Sequence, residues 1–93
     1  MIDAVLPPPV WVNTPAKLAA LAADLSHRPL IAVDTESNSL HASRERVCLI
    51  QFSTAATDYI VDPLALSDLS PLSAPLANPA IEKIFHAAEY DLI

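Results

Sequence analysis

The sequence predicts an α/β fold, a mixed β-sheet with flanking helices. Short apolar runs of strand length recur along the chain, and residues 15–25 carry apolar residues at helical spacing. Two of the runs, residues 47–53 and 58–61, are joined by only four residues, which is typical of an antiparallel hairpin. A hairpin followed by a helical segment and a further strand is typical of a fold that combines helices with a sheet.

Local signals predict the amino-terminal elements. Trp11 and Val12 form a short strand candidate, and Thr14 followed by Pro15 provides an N-cap and a proline in the first helical turn. The helix has one apolar face, formed by Leu18, Leu21, Ala22 and Leu25. Pro29 ends this helix, because the residue before a proline avoids helical dihedral angles.

The remaining elements follow in the order strand, strand, strand, helix, strand, helix. Residues 30–34 are predicted as a strand and residues 38–45 as a polar loop, and the two hairpin strands come next. Leucines mixed with Ser, Asp and Pro predict short helices near residues 64–69 and 72–76. A last strand ends at His86, and a helix begins at the next residue. Because the chain has no glycine, Asn, Asp and Ser are expected to form the turns.

The composition excludes several classes of protein. Hydrophobic residues make up 53% of the 93 residues, which excludes a disordered chain, and no apolar run approaches the ~18 residues of a membrane span. The amino end lacks the basic leader of a signal peptide, so we expect a cytoplasmic protein without a membrane partner. A proline-rich segment is predicted at residues 1–10 and one domain at residues 11–93.

The most informative stretch is Asp34-Thr35-Glu36, which follows an apolar run. Residues two apart on an extended strand point to the same face, so the two carboxylates are expected side by side. Such carboxylates repel each other unless a cation lies between them or both are well solvated. A divalent metal site is one interpretation, and a solvated strand end is the other.

Three segments, taken together and in this order, resemble a known enzyme family. They are Asp34-Thr35-Glu36, residues 44–51 (RERVCLIQ) and residues 86–92 (HAAEYDL). The combination resembles the first half of ribonuclease D-type 3'-5' exonucleases, members of the DEDD superfamily with a ribonuclease H-like fold. The resemblance covers residues 11–93 and implies a ribonuclease H-like mixed sheet with flanking helices.

The resemblance also implies an activity. It points to a metal-dependent 3'-5' exonuclease that hydrolyses phosphodiester bonds at the 3' end of RNA or single-stranded nucleic acid and releases nucleoside monophosphates. By the same resemblance, Asp34, Glu36 and Asp91 are the catalytic residues and the ligands of two Mg2+ or Mn2+ ions. For Asp91, position alone leaves open a solvated acid in the first turn of a helix.

Other polar residues are candidates for substrate contact. Thr35 and Glu36 lie within the first motif, and His41 and Arg44 lie in the loop after it, where they are either substrate contacts or ordinary solvated residues. His86 closes a predicted strand, and a histidine bonded to backbone at the core edge is favoured there over a metal ligand or general base.

The formal net charge is -6, with only five Lys and Arg residues, which opposes unaided binding to nucleic acid. Two divalent cations would neutralise acidic residues of the site, and such cations bind phosphate themselves. An exonuclease that holds a few terminal nucleotides also needs fewer phosphate contacts than a duplex-binding protein. The charge is therefore compatible with a metal-dependent nuclease.

The third motif of the family is a Tyr or His followed four residues later by a fourth Asp, and these 93 residues do not contain it after Asp91. We therefore expect an N-terminal fragment of an exonuclease domain, truncated after the second motif and inactive or nearly inactive alone. The apolar strands would then lack covering helices, which predicts self-association or marginal stability. The alternative function is a catalytically silent nucleic-acid or protein-interaction module with the same fold.

Overall fold

The described residues form a mixed β-sheet of five strands, as the sequence predicts. A computed structural model describes residues 7–38 and 47–87. The elements in chain order are β1 (Val10–Val12), α1 (Pro15–Leu25), β2 (Leu30–Asn38), β3 (Val47–Ser53), β4 (Asp58–Val61), a 3-10 helix (Ser70–Leu72), α2 (Ser73–Ala77) and β5 (Glu82–Ala87). The strand order is β1-β4-β3-β2-β5. The pairs β2–β3 and β3–β4 are antiparallel, and the pairs β2–β5 and β1–β4 are parallel.

Helix α1 begins and ends where the sequence predicts. Thr14 Oγ1 accepts a hydrogen bond from the backbone N–H of Lys17 at 3.2 Å, and Pro15 is the first helical residue, where its missing N–H costs nothing. The N–H of Ser26 donates to the carbonyl of Ala22 at 3.1 Å and closes the last turn. The buried residues of α1 are Leu18, Leu21 and Leu25. Neither α1 nor any other described helix is long and apolar enough to cross a membrane.

The turns form without glycine because side chains bind the backbone. In the hairpin between β3 and β4, Thr54 Oγ1 accepts hydrogen bonds from the N–H groups of Ala56 (3.1 Å) and Thr57 (3.0 Å). At three other turns, an Asp or Asn side chain accepts a hydrogen bond from the N–H two residues later. These residues are Asp62, Asp68 and Asn78. The prediction that Asp and Asn form the turns is thus confirmed. In the hairpin, the side chain of a threonine accepts the hydrogen bonds of the turn instead.

The helix predicted near residues 64–69 is wrong, because this segment forms turns. The Asp62 carboxylate accepts the N–H of Leu64 at 3.0 Å, and the Asp68 carboxylate accepts the N–H of Ser70 at 2.9 Å. Acidic side chains that bind nearby backbone donors compete with helix formation. The second short helix, predicted near residues 72–76, is confirmed as α2 and the 3-10 turn before it.

Two strands end later than predicted. β2 continues to Asn38 instead of ending at Asp34, since it pairs with β3 along its whole second half. Asp34 is therefore in the middle of a central strand and not at a strand end. β5 includes Ala87, where the sequence predicts the start of a helix, and the rest of that predicted helix lies outside the described residues.

The apolar core lies between α1 and one face of the sheet, which we call the helix-covered face. Ile31, Val33, Phe52 and Val61 define this face, and each is at most 6% exposed. The segment between β4 and β5 adds Leu66, Leu72 and Ile81 to this core. Full burial of an aliphatic or aromatic side chain stabilises the fold by about 1.5–3 kcal/mol. This packing fixes which side chains of each strand face away from the helix.

The opposite face of the sheet, which we call the open face, carries the side chains at the alternate strand positions. Its residues include Trp11 of β1, Leu30, Ala32 and Asp34 of β2, Gln51 and Ser53 of β3, Asp58 and Ile60 of β4, and Glu82, Ile84 and His86 of β5. Its apolar side chains are much more exposed than those of the core: Trp11 is 48%, Leu30 43% and Ile84 44% exposed. A concavity of about 420 Å³ on this face lies between the Leu30 end of β2 and the end of β3.

A polar cluster connects the end of α1 to β4. The Tyr59 hydroxyl donates a hydrogen bond to Asp24 Oδ2, and Arg28 Nε donates to Asp24 Oδ1 at 3.0 Å. The Tyr59 hydrogen bond, followed by the Arg28 contacts, lowers the pKa of Asp24 below its ordinary value of 3.8. Burial and the Asp24 carboxylate raise the pKa of Tyr59 above 10.0. The cluster thus stabilises the fold when Asp24 is ionised and Tyr59 is protonated.

Removing the Tyr59 hydroxyl tests this cluster. We expect Tyr59→Phe to lower the free energy of unfolding at neutral pH by about 1 kcal/mol, because the ring still packs while one hydrogen bond is lost. Asp24 has a lowered pKa, so its contribution is present above pH 3.8 and disappears as the pH falls through the folded-state pKa. Tyr59 has a raised pKa, so its contribution is complete below pH 10.0 and disappears as the pH rises through the folded-state pKa.

Urea unfolding at several pH values measures these effects, and a double-mutant cycle with Asp24→Asn provides the control. Tyr59→Phe should lower the free energy of unfolding clearly less in the Asp24→Asn background than in the wild type. An equal cost in both backgrounds would contradict a direct contribution from the Tyr59–Asp24 hydrogen bond.

Candidate active site

Asp34 lies at the centre of a row of side chains that crosses the open face. Its cross-strand partners are Gln51 on β3 and His86 on β5. The row continues from Gln51 to Ile60 on β4 and to Trp11 on β1. Directly paired residues have side chains on the same face, with Cβ atoms about 4.5–5.5 Å apart in an antiparallel pair. The sheet therefore brings an acid, an amide and an imidazole together.

The fold explains why an acid is tolerated at this position. Asp34 is half-buried, and the residue before it, Val33, is buried on the helix-covered face. Alternation along β2 turns the carboxylate away from the leucines of α1. The hydrophobic pattern on one face of β2 thus determines that Asp34 points to the open face, where water or a ligand can reach it.

The other residues of the first motif occupy different positions. Glu36 follows on β2, two residues after Asp34, and its backbone pairs with Leu49 of β3. Thr35 pairs with Ile50 and Ala87, and its half-buried side chain lies on the helix-covered face. A contact between the Thr35 side chain and a ligand bound at Asp34 is therefore disfavoured, although the Thr35 backbone lies beside the site.

The remaining predicted site residues lie outside the described residues. These are His41 and Arg44 in the loop after β2, and Asp91 after β5. Within residues 7–38 and 47–87, no three His, Cys, Asp or Glu residues come close enough to hold a metal ion. Asp91 follows β5 by only four residues, and β5 runs parallel to β2 with His86 beside Asp34. The chain therefore leaves β5 at the same end of the sheet as the acidic pair.

The described cations contribute little positive charge to this end of the open face. Arg28 is bonded to Asp24, and Lys83 Nζ donates a hydrogen bond to the carbonyl of Asn78. Lys83 also pairs with Ile31, a residue of the helix-covered face, and Lys17 is on α1. The polar groups next to Asp34 that the structure describes are thus the neutral amide of Gln51 and the ring of His86.

Gln51 and His86 are the site neighbours that the sequence does not identify. Gln51 is a polar residue that interrupts an apolar strand, which is a usable signal, but only the register of β2 and β3 pairs it with Asp34. The favoured interpretation of His86 as a core-edge residue is wrong, because its side chain is exposed on the open face.

Comparison with known proteins identifies the family. A family model described as 3'-5' exonuclease matches residues 9–93. The chain belongs to the 3'-5' exonuclease family. The exosome complex exonuclease RRP6 of Saccharomyces cerevisiae is 41% identical over 86 residues, which are 91% of this chain and 12% of that protein. Ribonuclease D of Acidiphilium cryptum is 38% identical over 87 residues, which are 92% of this chain and 22% of that protein.

Solved structures agree with this assignment. The catalytic core of RRP6 from Trypanosoma brucei has a TM-score of 0.74 and 36% identity, and the match covers 98% of this chain and 26% of that one. Ribonuclease D of Escherichia coli has a TM-score of 0.73 and 34% identity, with coverage of 92% and 23%. The predicted ribonuclease H-like exonuclease fold of the ribonuclease D type is confirmed. The chain spans about a quarter or less of the length of these relatives.

Proposed function

We propose that the Asp34 end of the open face is part of the active site of a metal-dependent 3'-5' exonuclease. The enzyme would hydrolyse phosphodiester bonds at the 3' end of RNA or single-stranded nucleic acid and release nucleoside monophosphates. The cytoplasm is its predicted location. The observation that carries this proposal is the position of Asp34. It is an acid in the central strand, on the face opposite the helix, with Glu36 two residues later on the same strand.

The donor set fits a hard divalent cation. Asp34 and Glu36 offer carboxylate oxygens, and we propose Asp91 as the third ligand on the basis of the second motif. Oxygen ligands favour Mg2+ or Mn2+, whereas Zn2+ favours thiolate and imidazole. Cations held by these residues would supply activation of a water molecule and stabilisation of the leaving oxygen. The chain's own contribution is to place Asp34 and Glu36 two residues apart on β2, a strand paired with β3 along both positions.

RNA is the favoured substrate because of the relatives' described roles. The ribonuclease D of Escherichia coli, 34% identical to this chain, is described as an exoribonuclease involved in structured RNA processing. The RRP6 relative is described as an exosome complex exonuclease. Single-stranded DNA ends remain the alternative substrate. A comparison of degradation rates for matched RNA and DNA oligonucleotides would separate the two.

Metal binding provides the first test. We expect the chain to bind Mn2+ weakly by calorimetric titration, and Glu36→Ala to reduce this affinity, because one of the few carboxylate ligands is removed. Glu82→Gln is the matched control. It removes an acid from β5 that pairs with Leu30, four residues before the partner of Asp34, which is about 13 Å along the strand. Mn2+ binding that is absent, or unchanged in Glu36→Ala, would count against the site.

Activity provides the second test. We expect the 93 residues alone to degrade single-stranded RNA very slowly or not at all with Mn2+. They lack the third motif after Asp91, whose ligand and water-orienting residue stabilise the transition state in the family. Denaturing gels of a 5'-labelled oligonucleotide measure this. A ladder shortened from the 3' end and abolished by Asp34→Ala would contradict the expected inactivity while supporting the exonuclease site.

The alternative proposal is a catalytically silent module with the exonuclease fold. The exposed apolar side chains of the open face favour it only weakly, since an active enzyme also needs an accessible surface there. The two proposals differ in metal dependence. RNA binding that is unaffected by Mn2+ and by Asp34→Asn would support the silent module.

We also propose that the exposed open face causes the isolated chain to self-associate. Leu30 and Ile84, on the neighbouring strands β2 and β5, are each more than 40% exposed on this face, and adjacent exposed apolar side chains favour association. We expect sedimentation to detect concentration-dependent association of the isolated chain, and Ile84→Lys to weaken it by placing a charge in the contact.

Leu64→Lys is the control for this experiment. Leu64 is 72% exposed, more than Ile84, but it lies in the turn after β4 and not on the open face. It should leave association unchanged. A compact monomer with a sharp cooperative melt at all concentrations would show that the exposed open face does not cause association.

A further inference from the structure

Gln51 is the polar residue whose position the sheet ties directly to Asp34. It lies in β3, in a strand that is otherwise mostly apolar, and its side chain is half-buried. Its neighbour Phe52 is 1% exposed in the core, so alternation turns Gln51 to the open face. The register of β2 and β3 then pairs it with Asp34. Its position is set by backbone pairing and not by a mobile loop.

The carboxamide of Gln51 is within reach of any ligand held by Asp34. The paired Cβ atoms of an antiparallel pair are about 4.5–5.5 Å apart, and an extended glutamine side chain places its amide nitrogen about 4 Å beyond its Cβ. The carboxamide has two N–H donors, and this reach brings them to an acceptor located above Asp34.

The charges around Asp34 indicate which chemical group the Gln51 amide would bind. A phosphodiester held next to Asp34 and Glu36 is an anion beside carboxylates, and it needs hydrogen-bond donors as well as cations. Two basic side chains that the structure describes bind other groups: Arg28 binds Asp24, and Lys83 binds the carbonyl of Asn78. A neutral amide supplies donors without competing with a metal ion for the acidic ligands.

We propose that Gln51 is a substrate-binding residue of the proposed exonuclease site. Its carboxamide donates a hydrogen bond to a non-bridging oxygen of the 3'-terminal phosphate group while Asp34 serves the metal ions. This inference rests on the proposed function. It differs from a role in orienting Asp34, in which the amide would bind the Asp34 carboxylate and affect the metal instead.

The test uses 5'-UMP, which has the phosphate and nucleoside of the expected product, and Mn2+ as separate probes. We expect Gln51→Met, which keeps the length of the side chain but has no donor, to weaken 5'-UMP binding in saturating Mg2+ roughly tenfold. Its Mn2+ affinity should stay within about twofold of the wild type. Gln51→Glu should weaken 5'-UMP binding further, because it adds repulsion of the phosphate.

Ser53→Ala is the matched control, since Ser53 is on the same strand and face two residues away and pairs with Ala32 rather than Asp34. It should bind both probes normally. A measurement without substitution complements the variants. On addition of 5'-UMP and Mg2+, the side-chain amide resonances of Gln51 should shift in the NMR spectrum of the wild-type chain, which keeps the inference testable even if Gln51→Met fails to fold.

The outcomes separate the two proposals. If Asp34→Asn abolishes 5'-UMP binding and Gln51→Met leaves it unchanged, the role of Gln51 is overturned and the exonuclease site stands. If Gln51→Met weakens Mn2+ binding as much as 5'-UMP binding, Gln51 orients Asp34 and the substrate contact is overturned. If the wild-type chain binds no 5'-UMP, or Asp34→Asn binds it normally, both the inference and the proposed function fail.

Discussion

The pairing of β2 with a neighbour on each edge is the constraint on which the site depends. A strand that carries Asp, Thr, Glu, Ser and Asn in succession has a weak intrinsic preference for extended structure over this stretch. The ladder with β3 reaches Asn38, and the ladder with β5 reaches Thr35. Pairing on both edges therefore keeps β2 extended as far as Thr35, and the described pairing beyond it is with β3. The packing of Ile31 and Val33 against α1 then determines which way Asp34 points.

The two faces of the sheet have different roles, since one forms the core and the other carries the polar residues of the candidate site. The helix-covered face holds the buried apolar side chains, and the described residues that are buried include no polar or charged one. The open face holds Asp34, Gln51 and His86 in one row, with exposed apolar side chains at other positions. A cost of placing acids on the sheet is repulsion between them, and a bound divalent cation would offset it.

Elsewhere the chain uses charge for structure. Asp24 accepts hydrogen bonds from Tyr59 and Arg28 and joins the end of α1 to β4. This cluster occupies one of the five Lys and Arg residues of an acidic chain. Its Tyr59 pairs with Phe52, a residue of the helix-covered face. Acidic residues therefore have two roles here. Asp24 is paired and stabilises the fold, whereas Asp34 lies on an accessible face beside Gln51 and His86.

The sequence alone determined the mixed α/β sheet, helix α1 with its Thr14 cap, the β3–β4 hairpin and the family, because these depend on local signals such as periodicity, capping residues and short motifs. It failed for residues 64–69, where Asp62 and Asp68 bind nearby N–H groups and replace a helix with turns. The sequence also predicted that β2 ends at Asp34, because the residues beyond it are polar. Pairing with β3 keeps those residues extended. The association of Asp34 with Gln51 and His86 was decided by tertiary structure alone. Register is a property of two strands distant in sequence, and no pattern within either strand specifies which residue lies opposite another.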